Sequence, residues 1–187
     1  MGIPFLIFLA AVGAIVVFVI VSYNRLVSLT QRSESAWSDV DAQLRRRTDL
    51  VPHLVSSVKR YAPHERGTLD AVVKARGAAL AAQTPESRAQ AEGQLSQAVR
   101  GLFALAESYP DLKATANFQS LQASLGEIEE AIQNARRYFN AVVRDLNTAI
   151  QEFPSNLVAG FFQFRPLAYF ELDRPDERKV PKVSFGG

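Results

Sequence analysis

The chain has 187 residues, with 21 basic and 19 acidic side chains, a formal net charge of +2 and no cysteine. Charge this close to balance leaves no basic footprint for nucleic acid. The missing cysteines exclude disulfides, thiol catalysis and thiolate metal sites, and are silent about compartment.

The dominant stretch is residues 3–21, Ile-Pro-Phe-Leu-Ile-Phe-Leu-Ala-Ala-Val-Gly-Ala-Ile-Val-Val-Phe-Val-Ile-Val, which carries no charge. At about 1.5 Å per residue a helix of this length crosses about 30 Å of hydrocarbon. A cleaved signal peptide is the alternative, with a basic leader and a shorter apolar core. No Lys or Arg precedes the run, and cleavage near Ala11-Val12-Gly13 would leave only about eight apolar residues upstream. The expectation is an uncleaved anchor, residues 1–22, that meets membrane lipid through residues 3–21. Arg25 and Arg32 follow it closely, so the positive-inside rule puts the remaining domain in the cytoplasm and the N-terminus outside. Tyr23 stands where an interfacial aromatic belongs.

From Leu26 onward apolar or small residues recur at Leu29, Ser33, Trp37, Val40 and Leu44, then at Val51, Leu54, Val58 and Tyr61. This three-four spacing is a helix with one buried stripe. The first soluble helix is expected over 23–61, continuous with the membrane helix and locally bent at Pro52. A short second helix, from Thr68 to about Ala82, carries Leu69, Val72 and Val73. Thr84-Pro85-Glu86 is a start signal for a third, because a capping hydroxyl precedes a proline and an acid in the first turn. That helix runs to about Ser108 on the stripe Ala91, Leu95, Ala98, Leu102, Leu105, Tyr109. After the break at Tyr109-Pro110-Asp111 the fourth helix shows Phe118, Leu121, Leu125, Ile128, Ile132, Ala135, Phe139, Val142, Leu146, Ala149 and Phe153, and Pro154 stops it. Beyond it lie Phe161-Phe162-Gln163-Phe164-Arg165-Pro166 and a charged tail from Asp173. No strand alternation and no repeat is evident.

The expected fold is all-α: one N-terminal transmembrane helix continuous with a long antiparallel four-helix bundle of two long and two short helices. The domains are expected at 1–22 (anchor), 23–156 (bundle) and 157–187 (aromatic and proline-containing tail). Long helices of about forty residues reach about 60 Å, the short ones about half that. Helices two and three therefore fit as a hairpin beside the far half of helix one. Helix four returns beside helix one and brings the Phe-rich segment back to the membrane surface. The near half, with only two helices, exposes apolar surface that asks for a partner, either another protomer or the chain's own aromatic tail.

Arg47 falls on the first stripe and Arg76 near the second. A buried arginine needs a carboxylate, which Glu107 or Asp111 could supply; otherwise its long stem lets it reach solvent. Asn117, Asn140 and Asn147 lie near the fourth seam, where asparagine fixes register or caps a neighbour.

The blocks Tyr23-Asn24-Arg25-Leu26-Val27, Ala36-Trp37-Ser38-Asp39-Val40-Asp41, Leu44-Arg45-Arg46-Arg47-Thr48-Asp49-Leu50-Val51-Pro52 and Ala106-Glu107-Ser108-Tyr109-Pro110-Asp111-Leu112 resemble the LemA family. So do Ala135-Arg136-Arg137-Tyr138-Phe139-Asn140 and Phe153-Pro154-Ser155-Asn156, with Phe139 where the family often has tyrosine. The resemblance spans nearly the whole chain in order. It implies a bacterial inner-membrane, single-pass helical-bundle protein with no established enzymatic activity or cofactor. It also points to membrane zinc metallopeptidases as companions and, through a relative, to magnetosome formation.

No catalytic, cofactor-binding or metal-ligating residue is expected. His53 and His64, on one helix, lie about 16 Å apart, too far to share a metal. His64-Glu65-Arg66-Gly67-Thr68 lacks the second histidine of the zinc-peptidase motif. Gly101 and Gly126 stand alone, without a phosphate loop. Glu129-Glu130 and the Asp39/Asp41 pair read as solvated helix faces. Arg45-Arg46-Arg47 sit about 35 Å from the span along the helix, beyond the reach of headgroup charge. The leading expectation is a non-enzymatic membrane-tethered scaffold that binds itself or other proteins, with no nucleic acid and no small-molecule substrate. A membrane-surface or remodelling role for the Phe161–Arg165 segment is the alternative, and a signal-sensing bundle is the second.

Overall fold

A computed structural model describes residues 2–171 of the chain. The charged tail lies outside the described residues. Among those described, six helices and no strands are formed: α1 (Ile3–Tyr61), α2 (Arg66–Ala81), α3 (Pro85–Ala106), α4 (Pro110–Lys113), α5 (Ala116–Gln151) and α6 (Ser155–Phe161). The apolar run and the first soluble helix are one uninterrupted helix of 59 residues. Its apolar end is long enough to cross a membrane and is almost wholly uncovered by protein.

Six helices replace the four expected, for local reasons. Pro110 opens a single turn, α4, that ends at Lys113. The Thr115 hydroxyl then accepts a hydrogen bond from the Phe118 amide at 3.3 Å, which starts α5 afresh. After Gln151 the chain passes a cis Phe153–Pro154 bond and re-forms as α6, which straddles the boundary expected between bundle and tail. The Ser155 hydroxyl donates to the carbonyls of Ala149 and Glu152, at 2.7 and 2.9 Å. Phe153 is thereby thrown off the α5 stripe and is 79% exposed. Tyr61 and Val73, also placed on stripes, are exposed too, and Ala62 takes the buried position after Val58.

The chain divides into two compact units, and α1 and α5 contribute to both. In the first, residues up to Ala42 pack with Ile132–Tyr169. Trp37 meets Phe139 with ring centroids 5.5 Å apart, and Leu26 packs with Leu146, Ala149, Val158 and Ala159. Higher numbers on one helix meet lower numbers on the other, so the pair is antiparallel. Asn147 holds the chain beyond α6: its side-chain amide donates to the Leu167 carbonyl and accepts from the Leu167 amide, both at 2.9 Å. The end of α6 is closed by Gln163, whose φ of 60° is left-handed. The Gln163 amide bonds to the Gly160 carbonyl at 3.2 Å and the Phe164 amide to the Ala159 carbonyl at 2.9 Å. This is the Schellman closure, in which glycine is the usual residue.

In the second unit, Gln43–Ala131 with Phe170, α2 and α3 form a hairpin against α1. The core joins Val51, Leu54 and Val58 of α1 to Leu69 and Val72 of α2, Leu95 and Leu102 of α3, Leu112, and Phe118 and Leu125 of α5. Thr84 accepts from the Ser87 amide and Ser87 reciprocates, so the expected start signal is a complete capping box. Tyr109 donates to Glu65 at 3.3 Å; burial and that carboxylate hold its phenol above the usual value.

Pro52 and Arg76, noted separately in the sequence, belong together. A proline at 52 removes the amide that would bond to the Thr48 carbonyl four residues back. Arg76 of α2 donates its Nε to that carbonyl at 2.9 Å. The arginine is half-buried and does not use Glu107 or Asp111: it satisfies the acceptor that the proline orphaned.

An Arg76→Met change is expected to lower the stability of the full chain by about 1–3 kcal/mol, the cost of a buried acceptor left unmet. In a Pro52→Ala background, which restores the amide, the same change should cost clearly less; denaturant melts of all four variants measure the coupling. Gln163→Gly should raise the melting midpoint, since relief of a left-handed side chain gains about 1–2 kcal/mol before the loss from a more flexible unfolded chain.

Candidate functional site

The densest polar feature among the described residues is a buried charge cluster in the second unit. Arg47 of α1 is 3% exposed and Glu92 of α3 is fully buried. The Arg47 guanidinium donates to the Glu92 carboxylate and, at 3.2 Å, to the Glu92 backbone carbonyl. Its other terminal nitrogen donates to Ser96 Oγ at 2.7 Å and to Glu129 Oε2 of α5 at 2.9 Å. Three helices are thus gathered on one side chain. Arg88, one turn before Glu92, lies with its Nε 3.6 Å from Glu92 Oε1. Arg88 also donates to the carbonyls of Ala79 and Ala82, at 2.9 and 3.4 Å, and so closes the end of α2. Two cations face two anions, and that balance makes the burial tolerable.

The expected partners for Arg47 are corrected. Glu107 is exposed and pairs with Lys113, and Asp111 is exposed. Glu92 was missed because two registers share Leu95 and Leu102. One reads Ala91, Leu95, Ala98, Leu102, Leu105; the other reads Arg88, Glu92, Leu95, Val99, Leu102, Ala106. The structure buries every member of the second. The signal was present in the four-residue spacing of Arg88 and Glu92, but a charge is ordinarily taken for the solvated face.

Beside this cluster a cavity of about 440 Å³ opens between α3 and α5, lined by Arg47, Ser96, Arg100, Phe103, Leu125 and Glu129. Gly93 and Gly126 also line it, and a Cβ added at either meets nothing within 4 Å. The cluster is suited to holding helices together: its hydroxyl, Ser96, is engaged by an arginine, and the guanidinium–carboxylate pairs offer no nucleophile with an adjacent base. His53 and His64 are exposed. Among the described residues no three His, Cys, Asp or Glu side chains gather to hold a metal ion. Asn117 donates to Ser57 at 3.1 Å, a tie between α5 and α1.

A second feature is aromatic, in the first unit. Tyr23 lies 4.7 Å from Phe162 and 5.8 Å from Phe164, centroid to centroid. Phe161 stacks edge-on to Phe162 at 5.0 Å yet is 81% exposed.

The model of the LemA family matches residues 36–185. Magnetosome proteins MamQ 1 and MamQ 2 of Paramagnetospirillum magneticum are each 21% identical to the chain, over 86% of it and 69% of their own length. Magnetosome protein MamQ of Magnetospirillum gryphiswaldense is 21% identical over 84% of the chain and 67% of the relative.

Arg47→Met is expected to destabilise the full chain by about 3–5 kcal/mol, because it strands the buried Glu92 charge. An Arg47→Met/Glu92→Met chain should recover much of that loss in the same melt, since an apolar pair leaves neither charge unmet.

Proposed function

The chain belongs to the LemA family, and from that footing we propose that it works as a membrane-anchored, non-enzymatic scaffold that positions other proteins at a membrane. The observation that carries this reading is the use made of the polar groups. Arg47, Arg76, Arg88 and Glu92 are spent on holding helices and meeting backbone carbonyls. The apolar run at the head of α1 supplies the anchor. The MamQ relatives carry the name of a membrane organelle, which favours membrane organisation as the process served.

In this reading residues 23–156 form a helical bundle in the cytoplasm, below a single pass through the bacterial inner membrane. Exposed Arg25 and Arg32 on the domain side of the span support that orientation. The partners are proteins of the same membrane, a zinc metallopeptidase among them by family association, or a second copy of the chain.

Two measurements test this. The chain has no cysteine, so a Lys74→Cys change on the exposed side of α2 gives one thiol. A membrane-impermeant maleimide should label it only after the cells are permeabilised; labelling of intact cells puts the domain outside. Proximity biotinylation from the full chain should mark a reproducible set of membrane proteins absent when the ligase is fused to residues 1–22 alone. Identical sets would sink the scaffold reading.

A further inference from the structure

We propose that α6 is a second lipid contact: Leu157, Phe161 and the preceding Phe153 insert into the headgroup zone of the membrane that α1 crosses. The inference rests on the reading of residues 3–21 as a span and is independent of which side the domain occupies.

The composition of α6 is the first argument. Its inner face, Val158 and Ala159, is buried at 5% and 1% exposure. Its outer face carries Leu157 and Phe161, one turn apart and 65% and 81% exposed. Its polar side chains, Ser155 and Asn156, are confined to the first turn. A helix apolar on both faces belongs either in a core or against lipid, and here protein covers one face only.

Depth is the second argument and names the occupant. Phe164, just past α6, packs in the same cluster as Val19, which lies within the apolar run. Phe162 rests on Tyr23, two residues beyond the end of that run and so about 3 Å further along the helix. The headgroup zone extends about 5–7 Å beyond the hydrocarbon on each side. A helix held against Val19 and Tyr23 is therefore held at the level of the headgroups whenever the span is in the bilayer. Aromatic rings are favoured at that level. Exposed Arg25 and Arg165, next in sequence to this contact, supply cations for lipid phosphate.

The test uses the full chain reconstituted in phosphatidylcholine/phosphatidylglycerol vesicles. Trp37 is the single tryptophan, so a Trp37→Phe background makes the emission of an introduced tryptophan site-specific. Phe161→Trp and, separately, Phe153→Trp are read with lipids brominated near the headgroup and with aqueous iodide. Val12→Trp, at the middle of the run, is read with lipids brominated near the chain ends and serves as the probe of the span. The proposal expects both outer-face probes to lose most of their emission to brominated lipid and little to iodide. Loss to iodide alone, with Val12→Trp quenched by the lipid, overturns the α6 contact and leaves the span intact. Blue-shifted emission deaf to both quenchers reports a second copy or another protein over the face, and overturns it equally. Failure of Val12→Trp to respond to brominated lipid removes the span and this inference with it.

Discussion

A single unbroken helix has to satisfy two solvents. The first nineteen or so residues of α1 present apolar side chains on every side, as hydrocarbon demands; the remainder narrows to one apolar stripe that closes against other helices. No breaker separates the two regimes, since Pro52 falls well inside the packed part. This is why the stretch from Val19 to Leu26 matters more than its position suggests: it is where α1 first receives other parts of the chain.

Backbone accounting explains most of the buried polar side chains. A long helix with an internal proline leaves one carbonyl without its amide, and a short helix ending in Ala81 leaves several. Arg76 meets the first kind and Arg88 the second. Glu92, with Glu129, then offsets the charges of Arg88 and Arg47 where little water reaches. Asn147 does similar work for the extended chain beyond α6, taking both polar groups of Leu167. The polar residues that look out of place on the apolar stripes are thus the means by which irregular backbone is tolerated inside a helical fold.

The two halves of the packing differ in kind. Around Leu95 and Leu102 several helices converge on one core, with alanines at Ala75, Ala79 and Ala91 admitting close approach. Around Leu26 the layer is thin, built from α1, α5 and α6, and large apolar side chains remain outside it. The thin layer is the one nearest the apolar run in sequence.

Residue pattern alone determined the helical class, the continuity of the span with the first soluble helix, the capped start of α3 and the buried seam of α5 from Phe118 to Ala149. These are local properties: a period, a capping hydroxyl and a breaker act within a few residues of each other. Tertiary structure alone decided that Arg47 reaches Glu92 and Glu129, that Arg76 answers Pro52, and that Phe162 rests on Tyr23 while Leu157 and Phe161 face outward. Such choices depend on which helix lies opposite, and the spacing of one helix is indifferent to that. Two registers of α3 fit its spacing equally, and the arginines brought alongside, one from α1 and one from its own first turn, are what allow Glu92 to be buried next to Ala91.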